Sequence, residues 1–110
     1  MRLYLIKEQY NTEAAKGILS SPEDRTEAVR PILESLGGKL CHFYIAYNED
    51  VVYLIVKLPN EESLAALLMA IKAGGTINSI SATPVMTATD AVKVFKKARS
   101  IKYRPPGEQT

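Results

Sequence analysis

His42 is the single histidine of a 110-residue chain, and Tyr44 stands two positions after it. In an extended segment, side chains two apart project from the same face, so this spacing sets an imidazole beside a phenol. An imidazole serves as acid or base near neutral pH. A tyrosine offers an apolar ring with one polar tip, which suits a pocket wall or an interface. Two further tyrosines, Tyr4 and Tyr53, lie in apolar runs of the same alternating kind. If Leu3, Leu5, Val52 and Leu54 face inward, then Tyr4, Ile6, Tyr53 and Ile55 share a face with His42 and Tyr44. The candidate site is therefore Tyr4, His42, Tyr44 and Tyr53. The same side chains equally suit a packed, hydrogen-bonded contact between protein surfaces with no ligand in it.

No other residue set makes a stronger chemical pattern. Cys41 is the one cysteine, which excludes an internal disulfide framework and a multi-cysteine zinc site and sets a reducing, cytoplasmic compartment as the expectation. Its neighbour His42 points to the other face of a strand, so the thiol lacks an activating partner and reads as buried and inert. Cys41, Phe43 and Ile45 are the expected core positions of their strand. Gly37-Gly38 and Gly74-Gly75 each precede a strand-like run, whereas the glycines of a phosphate loop follow a strand and open a helix. Glu49-Asp50 and Glu61-Glu62 are isolated acidic pairs, too few for a paired-carboxylate or calcium site. Neither a metal nor a cofactor is expected.

The elements that hold these residues follow from periodicity and punctuation. Arg2 to Lys7 reads as a first strand, and Thr12 opens a short helix to Leu19. Ser21-Pro22-Glu23-Asp24 reads as a helix start with Ser21 as the cap. Ala28, Val29, Ile32, Leu33 and Leu36 follow at helical spacing until Gly37-Gly38 stops them, with a kink expected at Pro31. Lys39 to Tyr47 and Val51 to Leu58 make a hairpin across Asn48-Glu49-Asp50. Asn60 caps a helix with Leu64, Leu67, Leu68 and Ile71 on one face, ended by Gly74-Gly75; its many alanines predict cover on more than one side. Thr76 to Thr83 is a weaker strand, and Pro84 suits a strand end or a sheet edge. Thr87 to Asp90 resembles a capping box ahead of a stripe of Ala91, Val94, Phe95, Ala98 and Ile101. The order β-α-β-β-α-β with an appended helix predicts an α+β, ferredoxin-like domain over residues 1–104 and a flexible tail over 105–110.

With 46% hydrophobic and 24% charged residues, the chain has the composition of a folded domain rather than a disordered one. Its apolar runs, Val51 to Val56 and Leu64 to Ile71, fall short of the roughly 20 residues that cross a bilayer. The first residues carry no readable secretory signal. The net charge of +2 is unevenly spread: residues 1–92 hold 8 basic and 11 acidic groups, and residues 93–110 hold 6 basic and 1 acidic. Either an acidic partner or simply a solvated last helix, its cations matched to the helix dipole, accounts for that. The third strand is apolar on both faces while helices cover one, so a second copy packed sheet to sheet is expected.

Tyr10-Asn11-Thr12, Lys16-Gly17-Ile18, Ser21-Pro22-Glu23, Leu36-Gly37-Gly38-Lys39-Leu40, Phe43-Tyr44 and Pro59-Asn60-Glu61-Glu62 together make the chain similar to the GYD domain family from about Arg2 to Lys97. The resemblance implies a dimeric α+β barrel of ferredoxin-like halves with no established activity. The Gly-Tyr-Asp motif that names the family sits at the hairpin between the second and third strands. This chain has Tyr47-Asn48-Glu49-Asp50-Val51 there, and only Asp50 matches, after a one-residue shift. No site residue carries over from it.

Three functional classes stand beside one another. The first is a non-enzymatic homo-oligomer, a dimer or a multiple of dimers, that assembles or binds a small molecule through its tyrosine face. The second, by analogy of architecture alone, is a cofactor-independent monooxygenase or isomerase using His42 and a tyrosine. The third, an RNA-binding sheet, requires a glycine and paired aromatics that Val51 to Leu58 lacks, so nucleic acid is not the expected partner.

Overall fold

A computed structural model describes residues 1–107. Its elements are β1 (Arg2–Tyr10), α1 (Thr12–Ser20), α2 (Arg25–Ser35), β2 (Lys39–Ala46), β3 (Val51–Leu58), α3 (Glu61–Ala73), β4 (Ile77–Val85) and α4 (Ala88–Arg99). The strands form one antiparallel sheet in the order β2-β3-β1-β4. The two most apolar strands are thus central, in the ferredoxin-like α+β order that the sequence predicts. Pro84 lies in β4, an edge strand, where a missing N–H donor costs least. Of the tail expected over 105–110, residues 108–110 lie outside the described residues.

Local chemistry explains where the helices begin. The Asn11 side-chain oxygen accepts the Ala14 amide at 3.1 Å, and its Nδ2 donates to the Gly75 carbonyl at 2.8 Å. The Asn11 backbone amide also donates to Thr76 at 2.9 Å, so one residue caps α1 and ties it to the turn before β4. The second helix starts later than its sequence suggests. Ser21 donates its amide back to Gly17 at 3.1 Å and so closes α1. Asp24 takes over as the cap of α2, accepting the Thr26 amide at 2.9 Å. The Thr26 amide and hydroxyl hold the Asp24 carboxyl below its ordinary pKa. The helix then runs as one element through Pro31. It stops in a Schellman motif: Gly38 donates to Leu33 at 2.8 Å and Gly37, at φ +76°, to Glu34 at 3.0 Å.

The core is a single cluster between one face of the sheet and helices α2 and α3. Tyr4 and Ile6 from β1 and Leu54, Val56 and Leu58 from β3 meet Leu33 of α2 and Leu64 and Leu67 of α3. In β2 the register slips between Leu40, opposite Val56, and His42, opposite Ile55. Cys41 is the extra residue of that bulge. The bulge brings Leu40 and Phe43, three apart in sequence, to the same core-facing side. Cys41 is only half-buried, a correction to its expected place in the core, and Ile45 is exposed.

The last helix departs from the rest. Thr87 caps it by accepting the Asp90 amide at 3.1 Å, yet Ala91 is its one buried residue, and Val94, Phe95 and Ile101 beyond it are exposed. The chain extends 65 × 31 × 24 Å with a radius of gyration of 18.2 Å, against about 13 Å for a compact domain of this length.

Candidate functional site

The antiparallel register sorts the sheet into two faces. On the side without helices, His42 stands opposite Ile55, Tyr44 opposite Tyr53, and Tyr53 opposite Lys7. Leu3, Leu5 and Lys7 of β1 extend this surface toward Val85, Thr83 and Ser81 of β4. The centre is apolar and the β2 edge is aromatic. His42 and Tyr44 stack with centroids 5.7 Å apart and planes inclined by 8°, and the Tyr44 hydroxyl lies 3.3 Å from His42 Nδ1. That geometry lets the phenol donate to a neutral imidazole nitrogen and sets both polar tips at an open surface, where Tyr44 is 60% exposed.

Three of the four expected site residues are therefore neighbours, and the fourth is not. Tyr4 is 1% exposed on the opposite, helix-covered face, paired in register with Val56. Its expected place beside His42 is corrected by the phase of β1, in which Leu3 and Leu5 point to the open side while Tyr4 and Ile6 fill the core. Both parities of this strand are apolar, so alternation alone does not say which faces the helices. The Tyr4 ring is buried while its hydroxyl emerges at the first turn of α3 and donates to Glu61 Oε1 at 2.6 Å. Arg2 donates to the same oxygen at 2.7 Å. The Tyr4 hydroxyl, and after it Arg2, hold the Glu61 carboxyl below its ordinary pKa; the bond to Glu61, and after it burial, raise the Tyr4 hydroxyl above its own.

A concavity on the other face was not foreseen. Between α1, the start of α2 and the far end of the core-facing sheet lies a groove of about 650 Å³. Ile18, Val29, Phe43 and Ile45 are among its apolar walls, and Glu8, Glu13 and Glu23 give it acidic groups. Burial raises the Glu8 carboxyl above its ordinary pKa, partly offset by Arg25. The signal in the sequence was Glu8 itself, a charged residue in the inward parity of Tyr4, Ile6 and Tyr10. No α1 residue is buried, so the helix roofs the groove without filling it.

At the β2–β3 hairpin, the Asp50 carbonyl accepts the Tyr10 amide at 3.0 Å and prolongs the ladder between β3 and β1. A family model of the GYD domain matches residues 4–95, from the central strand to the middle of α4. The chain belongs to the GYD domain family. No curated protein matches it. In this GYD domain the match covers His42, Tyr44 and Tyr53 and the whole groove, and the basic end of α4, from Lys96 onward, lies beyond it. Among the described residues, no group of three or more His, Cys, Asp or Glu side chains is placed to hold a metal ion.

Proposed function

We propose that this GYD domain is a non-enzymatic binding and assembly module that works as a homodimer. In this reading the two sheets pack face to face, with His42, Tyr44 and Tyr53 lining the space between them. One observation carries it: the two central strands present Leu3, Leu5, Tyr53 and Ile55 on a face that no helix covers, although such residues are ordinarily inside. Two such faces bury one another at about 10 Å separation, as in other stacked sheets. The stacked His42–Tyr44 pair then offers hydrogen-bonding tips to whatever small molecule shares that space, be it water or a ligand with an acceptor group.

Sedimentation velocity at micromolar concentration tests this with Tyr53→Glu. The new carboxylate sits opposite Lys7 in the monomer, where it has a partner, but an interface of closed sheets has to desolvate it. A dimer that this substitution turns into a folded monomer is the expected result. A wild-type monomer, or a dimer indifferent to the substitution, overturns the reading.

A second reading, a proton-transferring enzyme without cofactor, is favoured by the 3.3 Å approach of the Tyr44 hydroxyl to His42 Nδ1. Its test is turnover of carbonyl compounds with acidic α-hydrogens. Loss of that turnover in His42→Ala supports it, and no turnover by the wild type removes it.

A further inference from the structure

The fold contains a helix held to the body by one buried residue, Ala91, and a groove open at the surface. Helix α4 has 12 residues and one buried side chain. Isolated helices of that length are marginal in water and depend on packing of an apolar face for stability. Such a face is present: Val94, Phe95, Ala98 and Ile101 follow at helical spacing, and Phe95 is 65% exposed. Lys97 and Arg99 flank Ala98, the middle of that stripe, one on each side at about 100° around the axis.

The groove is the chemical complement of this helix. Its walls are apolar, with Ile18, Phe43 and Ile45 among them; Glu23 is ion-paired at 2.7 Å with Arg25, the one cation of the lining, and Glu8 and Glu13 supply the negative charge outside that pair. At about 650 Å³ and with a mainly apolar lining, this open groove has the size and character of a surface that another molecule's side chains fill. The chain's own α4 is at the wrong end of the sheet. It leaves β4 beside Leu3, at the start of β1, while the groove lies at Glu8 and Tyr10, the other end of that strand. Leu3 and Tyr10 are about 23 Å apart along β1, and the 65 Å long dimension is that of a chain with an extension, not of one folded back on itself.

We propose that α4 of each copy docks into the α1-roofed groove of a second copy, with Val94, Phe95 and Ala98 inward, Ile101 just past the helix end beside them, and Lys97 and Arg99 toward Glu13, the acid outside the Glu23–Arg25 pair. The inference rests on the homodimer reading and specifies it further. A two-fold axis that crosses the strands sets the α4 end of one sheet over the groove end of the other. The groove lies on the helix-covered side of the partner's sheet, so α4 has to pass the end of that sheet: a helix about 18 Å long crosses the roughly 10 Å between packed sheets and reaches about 8 Å beyond. The charge asymmetry of the chain then has a use, because the basic last segment of one copy meets the acidic body of its partner.

The test uses the full-length protein. Equal amounts of ¹⁴N- and ¹⁵N-labelled chain are mixed, allowed to exchange, and treated with a carbodiimide that joins adjacent amines and carboxylates. The expected products link Lys97 or Lys93 to Glu13 or Glu23, with about half of the linked peptides pairing one heavy and one light chain, the proportion that random exchange gives. Phe95→Asp, at an exposed position, is expected to leave the fold intact and weaken association at least tenfold by sedimentation. A dimer that yields no mixed links between α4 and the groove, or that Phe95→Asp leaves unchanged, overturns the inference; if Tyr53→Glu still breaks that dimer, the sheet-to-sheet reading stands alone. Association lost in Phe95→Asp but kept in Tyr53→Glu does the opposite. A wild-type monomer removes both, and a retained small molecule in native mass spectra without α4 links assigns the groove to a ligand instead.

Discussion

Gly38→Ala tests the helix-to-strand joint on which the whole sheet register depends. Gly38 has no positive φ, so conformational preference alone predicts a mild effect. Space predicts a severe one. A Cβ at Gly38 would lie 2.3 Å from the Lys57 carbonyl oxygen, 2.8 Å from Leu58 Cδ2 and 3.3 Å from the Leu33 carbonyl oxygen. An ordinary carbon-to-oxygen contact is about 3.3 Å or more, so the end of α2 or the edge of β3 has to move by about 1 Å. Lys57 is held in register by both Leu3 and Lys39, and Leu58 is fully buried, so neither yields easily. Overpacking costs about 1–3 kcal/mol, and backbone against backbone belongs at the upper end, about 3 kcal/mol. For a chain of this length that lowers the melting temperature by about 12 °C. Gly37→Ala is the control: it forces a side chain to φ +76° but meets only Pro59 Cγ at 3.9 Å. Its cost is about 1–2 kcal/mol, or about 4–8 °C. Gly17→Ala, with nothing within 4 Å in the middle of α1, is expected to stabilise by about 0.5–1 kcal/mol. The assay is thermal unfolding by circular dichroism at one fixed protein concentration, so that association does not shift the midpoints. A Gly38→Ala protein at least as stable as Gly37→Ala would refute the claim that close approach, not φ, fixes this position.

Three other outcomes follow from single side chains. Asn11→Ala removes both the α1 cap and the tie to Gly75, and urea unfolding should show a loss of about 1–2 kcal/mol. Glu8→Gln should stabilise the protein at neutral pH: a carboxyl raised by burial favours its protonated form in the fold, so stability falls as pH rises through that raised value, and the advantage of the variant should vanish in acid. Tyr4→Phe acts with the opposite sign. Glu61 is held low by the Tyr4 hydroxyl and then by Arg2, so its contribution is present above the ordinary carboxylate range and lost as pH falls through the lowered value. The gap between wild type and Tyr4→Phe in thermal unfolding should therefore be widest near neutrality and close in acid.

The sequence by itself determined the element order, the central placement of β1 and β3, and the caps at Asn60 and Thr87. These rest on neighbours within a turn or a strand: side-chain oxygens three residues before the amides they accept, and glycines where a helix must reverse. The family was legible for the same reason, from short segments spread along the chain. The His42–Tyr44 pairing was legible too, because two residues apart in a strand is a local relation. Which face each strand turns inward is not local. β1 is apolar in both parities, and only its register with β3 and the reach of Tyr4 to Glu61 decide that Tyr4 belongs to the core and not to the site. The bulge at Cys41, which aligns Leu40 with Phe43, is set by the strand opposite. The start of α2 at Asp24 rather than Ser21 is set by the end of α1: Ser21 still belongs to that closing turn, and the chain needs the residues between to turn before Asp24 caps the next helix. The acidic groove and the projecting α4 belong wholly to the tertiary structure. An amphipathic stripe states that a helix will bury one face, but not whether its own chain can supply the other half.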